Sequence, residues 1–114
     1  MKTTIYHNPR CSKSRQTLEI LNKKGEDVTI VDYMKNPLTK KELKNILDLL
    51  NIKPSVLLRK NEPEWKQNFK GKEISQDEII EIMITYPKLM ERPIVVKGKK
   101  ATIGRPPESV LKIL

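Results

Sequence analysis

Cys11 is the only cysteine of the chain, and it stands between Asn8-Pro9, a pair that breaks a strand, and a helix that opens at Ser12. A sulfur at such a junction faces the unpaired N–H groups of the first helical turn, where the helix dipole favours an anion. His7, Arg10, Lys13 and Arg15 lie within four residues of it, and cationic neighbours lower a thiol pKa. Ser14 completes a Cys-x-x-Ser spacing, with a hydroxyl placed to donate to the thiolate. The chemistry these types spell is a nucleophilic thiolate in a cradle for an oxyanion. Arg59, Arg92 and Arg105 are far apart in sequence, but each falls beside an expected element end. In a small sheet with Cys11 at one edge, those loops could converge on it. A planar guanidinium takes a tetrahedral oxyanion in bidentate fashion. Taken singly, each arginine also fits an ordinary surface charge, and a lone cysteine also fits a small buried hydrophobe.

The rest of the composition narrows the classes. One Cys and one His leave no disulfide framework, no Cys-rich zinc site and no His cluster, so no metal is expected. The 114 residues suit one domain, 1–114, with 37% hydrophobic and 32% charged residues. No apolar run approaches the roughly 18–20 residues that span a bilayer, and the N-terminal stretch lacks the apolar core of a secretory signal. A soluble cytoplasmic protein with a reduced thiol is expected. The net charge is +9, but 18 of the 23 basic residues are Lys, spread along the chain, with few aromatics between them. That distribution favours a solvated surface over specific nucleic-acid binding.

The elements that must position these residues can be read in order. Residues 3–6 are β-branched and aromatic and predict a strand. Residues 12–24 predict a helix with Leu18 and Leu21 on one face and Gly25 as its stop. The mostly apolar run at 28–31 predicts a buried second strand, and the crossover of about 20 residues suits parallel pairing. Two capping boxes, Thr39 with Glu42 and Ser75 with Glu78, open helices. Leu43, Ile46, Leu47 and Leu50 give the first its face; the second, with Ile79, Ile80, Ile82, Met83, Ile84 and Tyr86, is apolar round much of its circumference and expected to be largely buried. Short helical turns are expected from Pro54 to Arg59 and from Glu62 to Phe69. Residues 93–97 and 101–103 predict a hairpin, and Pro106-Pro107 a last helix with Val110, Leu111 and Leu114 facing inward. The order β-α-β, helices, β-β-α describes an α/β fold with a small mixed sheet and a helical insertion over about 38–90.

Four segments carry a resemblance to a known family: HNPRCSKSRQTLEIL at 7–21, LLRKNE at 57–62, ERPIVV at 91–96 and GRPPESVL at 104–111. Together, in order and spanning the chain, they resemble the ArsC family, glutaredoxin-coupled arsenate reductases, and its short YfgD-like branch in particular. The resemblance implies a thioredoxin-like fold. It implies that Cys11 attacks arsenate, that Arg59, Arg92 and Arg105 bind the oxyanion, and that His7 helps to lower the thiol pKa. It also implies that Pro93 is a cis residue. The chain ends at Leu114, where longer members continue into a C-terminal tail.

A single thiol cannot close an internal disulfide, so the two electrons that take arsenate to arsenite need a second thiol from outside. The resemblance gives that role to glutathione as co-substrate, with glutaredoxin as the partner that clears the mixed disulfide. Two other readings stay open. A regulator resembling Spx, which binds RNA polymerase, shares the fold but switches through a Cys-x-x-Cys, and position 14 here is Ser. A glutathione-linked thiol reductase of another substrate would use the same residues.

Overall fold

The computed structural model describes residues 2–114. Strand β1 (Thr3–His7) leads through helix α1 (Ser12–Lys23) to strand β2 (Val28–Asp32). The two strands pair in parallel, from Thr3 against Val28 to His7 against Asp32. Strands β3 (Ile94–Lys97) and β4 (Lys100–Ile103) form an antiparallel hairpin, and β3 pairs antiparallel with β1. The result is a mixed sheet in the order β2-β1-β3-β4. With a closing 3₁₀ helix, Pro107–Ile113, these elements make one compact unit, the residues up to Asn36 together with Arg92–Leu114.

Helix α1 stops where its glycine stands. Gly25 has φ 71°, and the N–H groups of Gly25 and Glu26 cap the carbonyls of Asn22 and Leu21 at 3.1 and 3.2 Å. Ile5, Leu21, Val95 and Val110 are fully buried together, with Leu18, Ile20, Val28 and Ile113 packed around them. Burying each side chain of that size is worth about 1.5–3 kcal/mol relative to leaving it exposed.

Two expectations fail here for physical reasons. The apolar run of β2 is not an interior strand; β2 lies at the sheet edge and Ile30 is 52% exposed. An apolar run of this length fits an edge as readily as a centre, because pairing partners are set by tertiary topology. The last helix is 3₁₀ rather than α, so its inward stripe repeats every three residues: Pro107 and Val110 are buried and Ile113 is half-buried. Leu111 and Leu114, expected inside on an α period, are 45% and 37% exposed.

The second compact unit, Pro37–Glu91, is helical. Helices α2 (Lys40–Leu50) and α5 (Gln76–Thr85) both open with the capping boxes read from sequence. Their buried stripes are Leu43, Ile46 and Leu47, and Ile79, Ile80 and Met83. Helix α5 is less enclosed than expected: Ile82 and Ile84 are half-buried and Tyr86, just past its end, is exposed. Between them lie α3 (Pro54–Leu57), which packs on α5, and α4 (Pro63–Asn68), which buries none of its residues. Trp65, Phe69 and Tyr86 form a ring cluster with centroids 5.4 and 5.7 Å apart. Leu58 and Met90 make an isolated antiparallel bridge. Around it the Arg59 N–H donates to the Leu89 carbonyl at 2.6 Å and the Glu91 N–H to the Leu57 carbonyl at 2.9 Å. Among the described residues no helix is long and apolar enough to cross a membrane.

Candidate active site

The turn between β1 and α1 is built on Asn8. Its carbonyl accepts from the Cys11 N–H at 3.0 Å, and its side-chain Oδ1 accepts from the Arg10 N–H at 3.0 Å. These bonds bend the chain so that Cys11 becomes the N-cap residue of α1, with extended backbone angles. Its sulfur is half-buried and forms no disulfide.

Ser14 locks this turn to the helix, but not in the way its spacing suggested. Its hydroxyl is fully buried; it accepts from the Asn8 N–H at 3.0 Å and pairs with His7 Nδ1 at 2.6 Å. The Ser14 group that reaches the sulfur is its main-chain N–H. The expected hydroxyl-to-thiolate bond is replaced because the hydroxyl is engaged with β1. His7 likewise does not act as a cation beside the thiol. Burial pulls its pKa down, Arg15 adds to that, and Asp32 on the neighbouring strand opposes it. A neutral imidazole shares one hydrogen bond with Ser14 and joins the end of β1 to the first turn of α1.

Electrostatics at the sulfur are set by other groups. Burial pushes the Cys11 thiol up, but the Ser14 N–H, the Arg92 guanidinium and the Lys13 N–H together outweigh it, so the thiol titrates below its ordinary value. Arg105 Nη2 stands 3.6 Å from the sulfur. Arg105 is itself steadied, its Nε donating to the Arg92 carbonyl at 2.8 Å. Thus two sequence-predicted arginines meet at the thiol, while Arg15 of the nearby sequence cluster turns its Nη1 to the Pro9 carbonyl at 2.9 Å.

The loop that delivers Arg105 depends on a glycine. The Gly104 N–H bonds the Pro93 carbonyl at 2.9 Å. A Cβ on Gly104 would lie 2.6 Å from Thr17 Oγ1 and 2.8 Å from Pro93 Cγ. Only a residue without Cβ lets the end of β4 fit between β3 and α1. Sequence reading passed over Thr17 and Gly104; the signal was the glycine directly before Arg105. Pro93 is cis, as expected, and so is Pro106.

Arg59 belongs to the second unit. Its Nη2 lies 3.4 Å from Glu62 Oε1 and its Nε 3.6 Å from Glu91 Oε1. Its buried Nη1 makes no hydrogen bond. Neither glutamate was singled out from sequence, although Glu62 sits three residues after Arg59. Among the described residues no group of acidic, His and Cys side chains could hold a metal ion.

A β-α-β unit continued by an antiparallel hairpin, with one activated thiol at the first helix N-terminus, defines a thioredoxin-like protein. The chain belongs to the ArsC family, whose model matches residues 6–113. It is 45% identical to YfgD of Escherichia coli (strain K12), over 96% of this chain and 94% of that one. It is 41% identical to an arsenate reductase of Haemophilus influenzae, with both chains covered in full. A solved arsenate reductase from Vibrio cholerae superposes with a TM-score of 0.94 at 40% identity, covering 100% of this chain and 98% of that one.

Proposed function

We propose that this protein reduces arsenate to arsenite, with Cys11 as nucleophile and an outside thiol as reductant. The observation that carries the reading is the sulfur itself: a thiol held below its ordinary pKa by Ser14, Arg92 and Lys13, with Arg105 Nη2 at 3.6 Å. Those donors suit a thiolate before reaction and a tetrahedral oxyanion next to it afterwards. The similarity to arsenate reductases over the whole chain supports arsenate as that oxyanion.

In the first step the Cys11 thiolate attacks arsenic, an S–As bond forms and an As–O bond breaks, and the departing hydroxyl takes the proton of a second arsenate hydroxyl and leaves as water. Arg92 and Arg105, the two arginines that face the sulfur, neutralise the remaining oxygens. A small thiol, glutathione in this reading, then attacks the Cys11 sulfur. The S–As electron pair passes to arsenic, As(V) becomes As(III), and arsenite departs from a Cys11 mixed disulfide. A second thiol, delivered by glutaredoxin, attacks that disulfide and frees Cys11, whose low pKa makes it a good leaving group. Two thiols are oxidised for each arsenate reduced.

The test is arsenite production with glutathione and glutaredoxin present, then with each omitted. The reading expects no arsenite without a small thiol and faster turnover with glutaredoxin. Repeated turnover on thioredoxin alone would contradict it.

A further inference from the structure

Three hydrogen bonds hold Arg105 along the ends of β3 and β4. Its Nε donates to the Arg92 carbonyl at 2.8 Å, its N–H to the Ile103 carbonyl at 2.9 Å, and the N–H of Gly104 to the Pro93 carbonyl at 2.9 Å. None of these bonds sets how deeply the loop seats against α1. That depth is set where Gly104, itself buried, meets Thr17. Thr17 is fully buried on α1, and its Oγ1 donates to the Lys13 carbonyl at 2.8 Å. A helical threonine divides between two χ1 rotamers, and a bond to the carbonyl four residues back commits it to one. The hydroxyl and the methyl are thereby fixed, and both face Gly104: a Cβ there would lie 2.6 Å from Thr17 Oγ1 and 3.1 Å from Thr17 Cγ2.

We propose that Thr17 is a positioning residue for Arg105: its side chain, locked by the Lys13 carbonyl, is the stop against which Gly104 seats, and that seat holds the Arg105 guanidinium beside the Cys11 sulfur. Lys13 gives its N–H to the sulfur and its carbonyl to Thr17. The turn of α1 that cradles the thiol therefore also sets the place of the arginine, whose Nη2 stands 3.6 Å from the sulfur. A displacement of about 1 Å costs such a group much of its contribution. Thr17 touches no substrate; it acts through Gly104 and Arg105. Its effect on arsenate rests on the reading that Arg105 binds the oxyanion, whereas its effect on the guanidinium beside the sulfur does not.

The experiment compares alkylation of Cys11 by iodoacetate and by iodoacetamide at low ionic strength. The proteins are wild type, Thr17→Val, Thr17→Ser, Arg105→Ala and the double variant Thr17→Val/Arg105→Ala. Both reagents meet the same thiolate, so their rate ratio cancels the thiol pKa and reports the positive charge beside the sulfur. Thr17→Val keeps the branched shape and loses the bond to Lys13; it should lower the preference for iodoacetate roughly two- to fivefold. Thr17→Ser keeps the hydroxyl and its bond and should hold most of that preference. Arg105→Ala should lower it at least as far as Thr17→Val, and the double variant should fall no further. The arsenate concentration that half-protects Cys11 should rise roughly three- to tenfold in Thr17→Val. Lost stability alone would reduce the folded protein without moving the ratio. If Thr17→Val does not fold, Thr17→Ala, which removes the stop outright, is read in its place against Thr17→Ser. A wild-type ratio in Thr17→Val, or a drop of full size when Thr17→Val is added to Arg105→Ala, would overturn the proposal. If the ratio falls as expected but arsenate fails to protect the wild type, the proposed function falls and the positioning of Arg105 by Thr17 stands.

Discussion

At the scale of single residues, the thiol is governed by near neighbours whose contributions have opposite signs. Burial alone would raise the Cys11 pKa, and main-chain N–H groups with Arg92 reverse it. Removing Arg92 as Arg92→Ala should therefore shift the midpoint of iodoacetamide alkylation upward, and wild type should titrate below the roughly 8.5 of a free cysteine. A wild-type midpoint at or above that value would mean that the thiol is not activated. Arg105→Lys should impair reduction, because a point charge cannot keep both the bond to the Arg92 carbonyl and the approach to the sulfur. Cys11, Arg92 and Arg105 were legible in the sequence because type and spacing carried them. The partnership of His7 with Ser14 was not, since a hydroxyl three residues from a cysteine can turn either way and tertiary contact with β1 decides.

His7 also ties chemistry to stability. Its pKa is lowered from 6.5 in the folded protein, chiefly by burial. The unfolded chain therefore binds the proton more readily, so the contribution is intact above that value and is lost as pH falls below it. Urea midpoints between pH 7 and pH 5 should drop more for wild type than for His7→Gln. Parallel profiles for the two proteins would show that His7 does not contribute.

At the scale of elements, β4 and α1 meet across Gly104. Gly104→Ala places a methyl 2.6 Å from Thr17 Oγ1 and 2.8 Å from Pro93 Cγ, and overpacking of this kind costs about 1–3 kcal/mol. Thermal unfolding should show that loss, and because Arg105 follows directly, reduction should fall too. Thr17→Ala in the same chain should recover part of the stability. In the closing helix, Val110→Ala should cost about 2 kcal/mol while Leu111→Ala costs far less, because Val110 is fully buried and Leu111 is 45% exposed. Equal costs would contradict the 3₁₀ phase. Capping boxes, turn residues and strand composition are local, and they gave the order of elements. The edge place of β2 and the three-residue period of the last helix depend on what packs against them, which a sequence window does not contain.

At the scale of the whole molecule, the sheet and its first helix bring residues 11, 92 and 105 together, though 94 positions separate the first from the last. The motifs around those residues made the family readable. The carboxylates at Arg59 stayed hidden because Glu91 reaches it through a bridge between distant segments. The net charge of +9 says little about mechanism. The single cysteine says much, since a mixed disulfide needs two sulfurs and the chain supplies one, so the proposed cycle must draw its reducing thiols from outside.

The most direct measurement is the mass of the peptide containing Cys11 after stoichiometric arsenate and a small thiol, without glutaredoxin, with released arsenite quantified in the same sample. The account predicts that Cys11 gains the mass of one thiol less two hydrogens, in proportion to arsenite formed, and that neither appears when arsenate is omitted. Arsenite released while Cys11 stays unmodified, or arsenite formed equally well by Cys11→Ser, would contradict it.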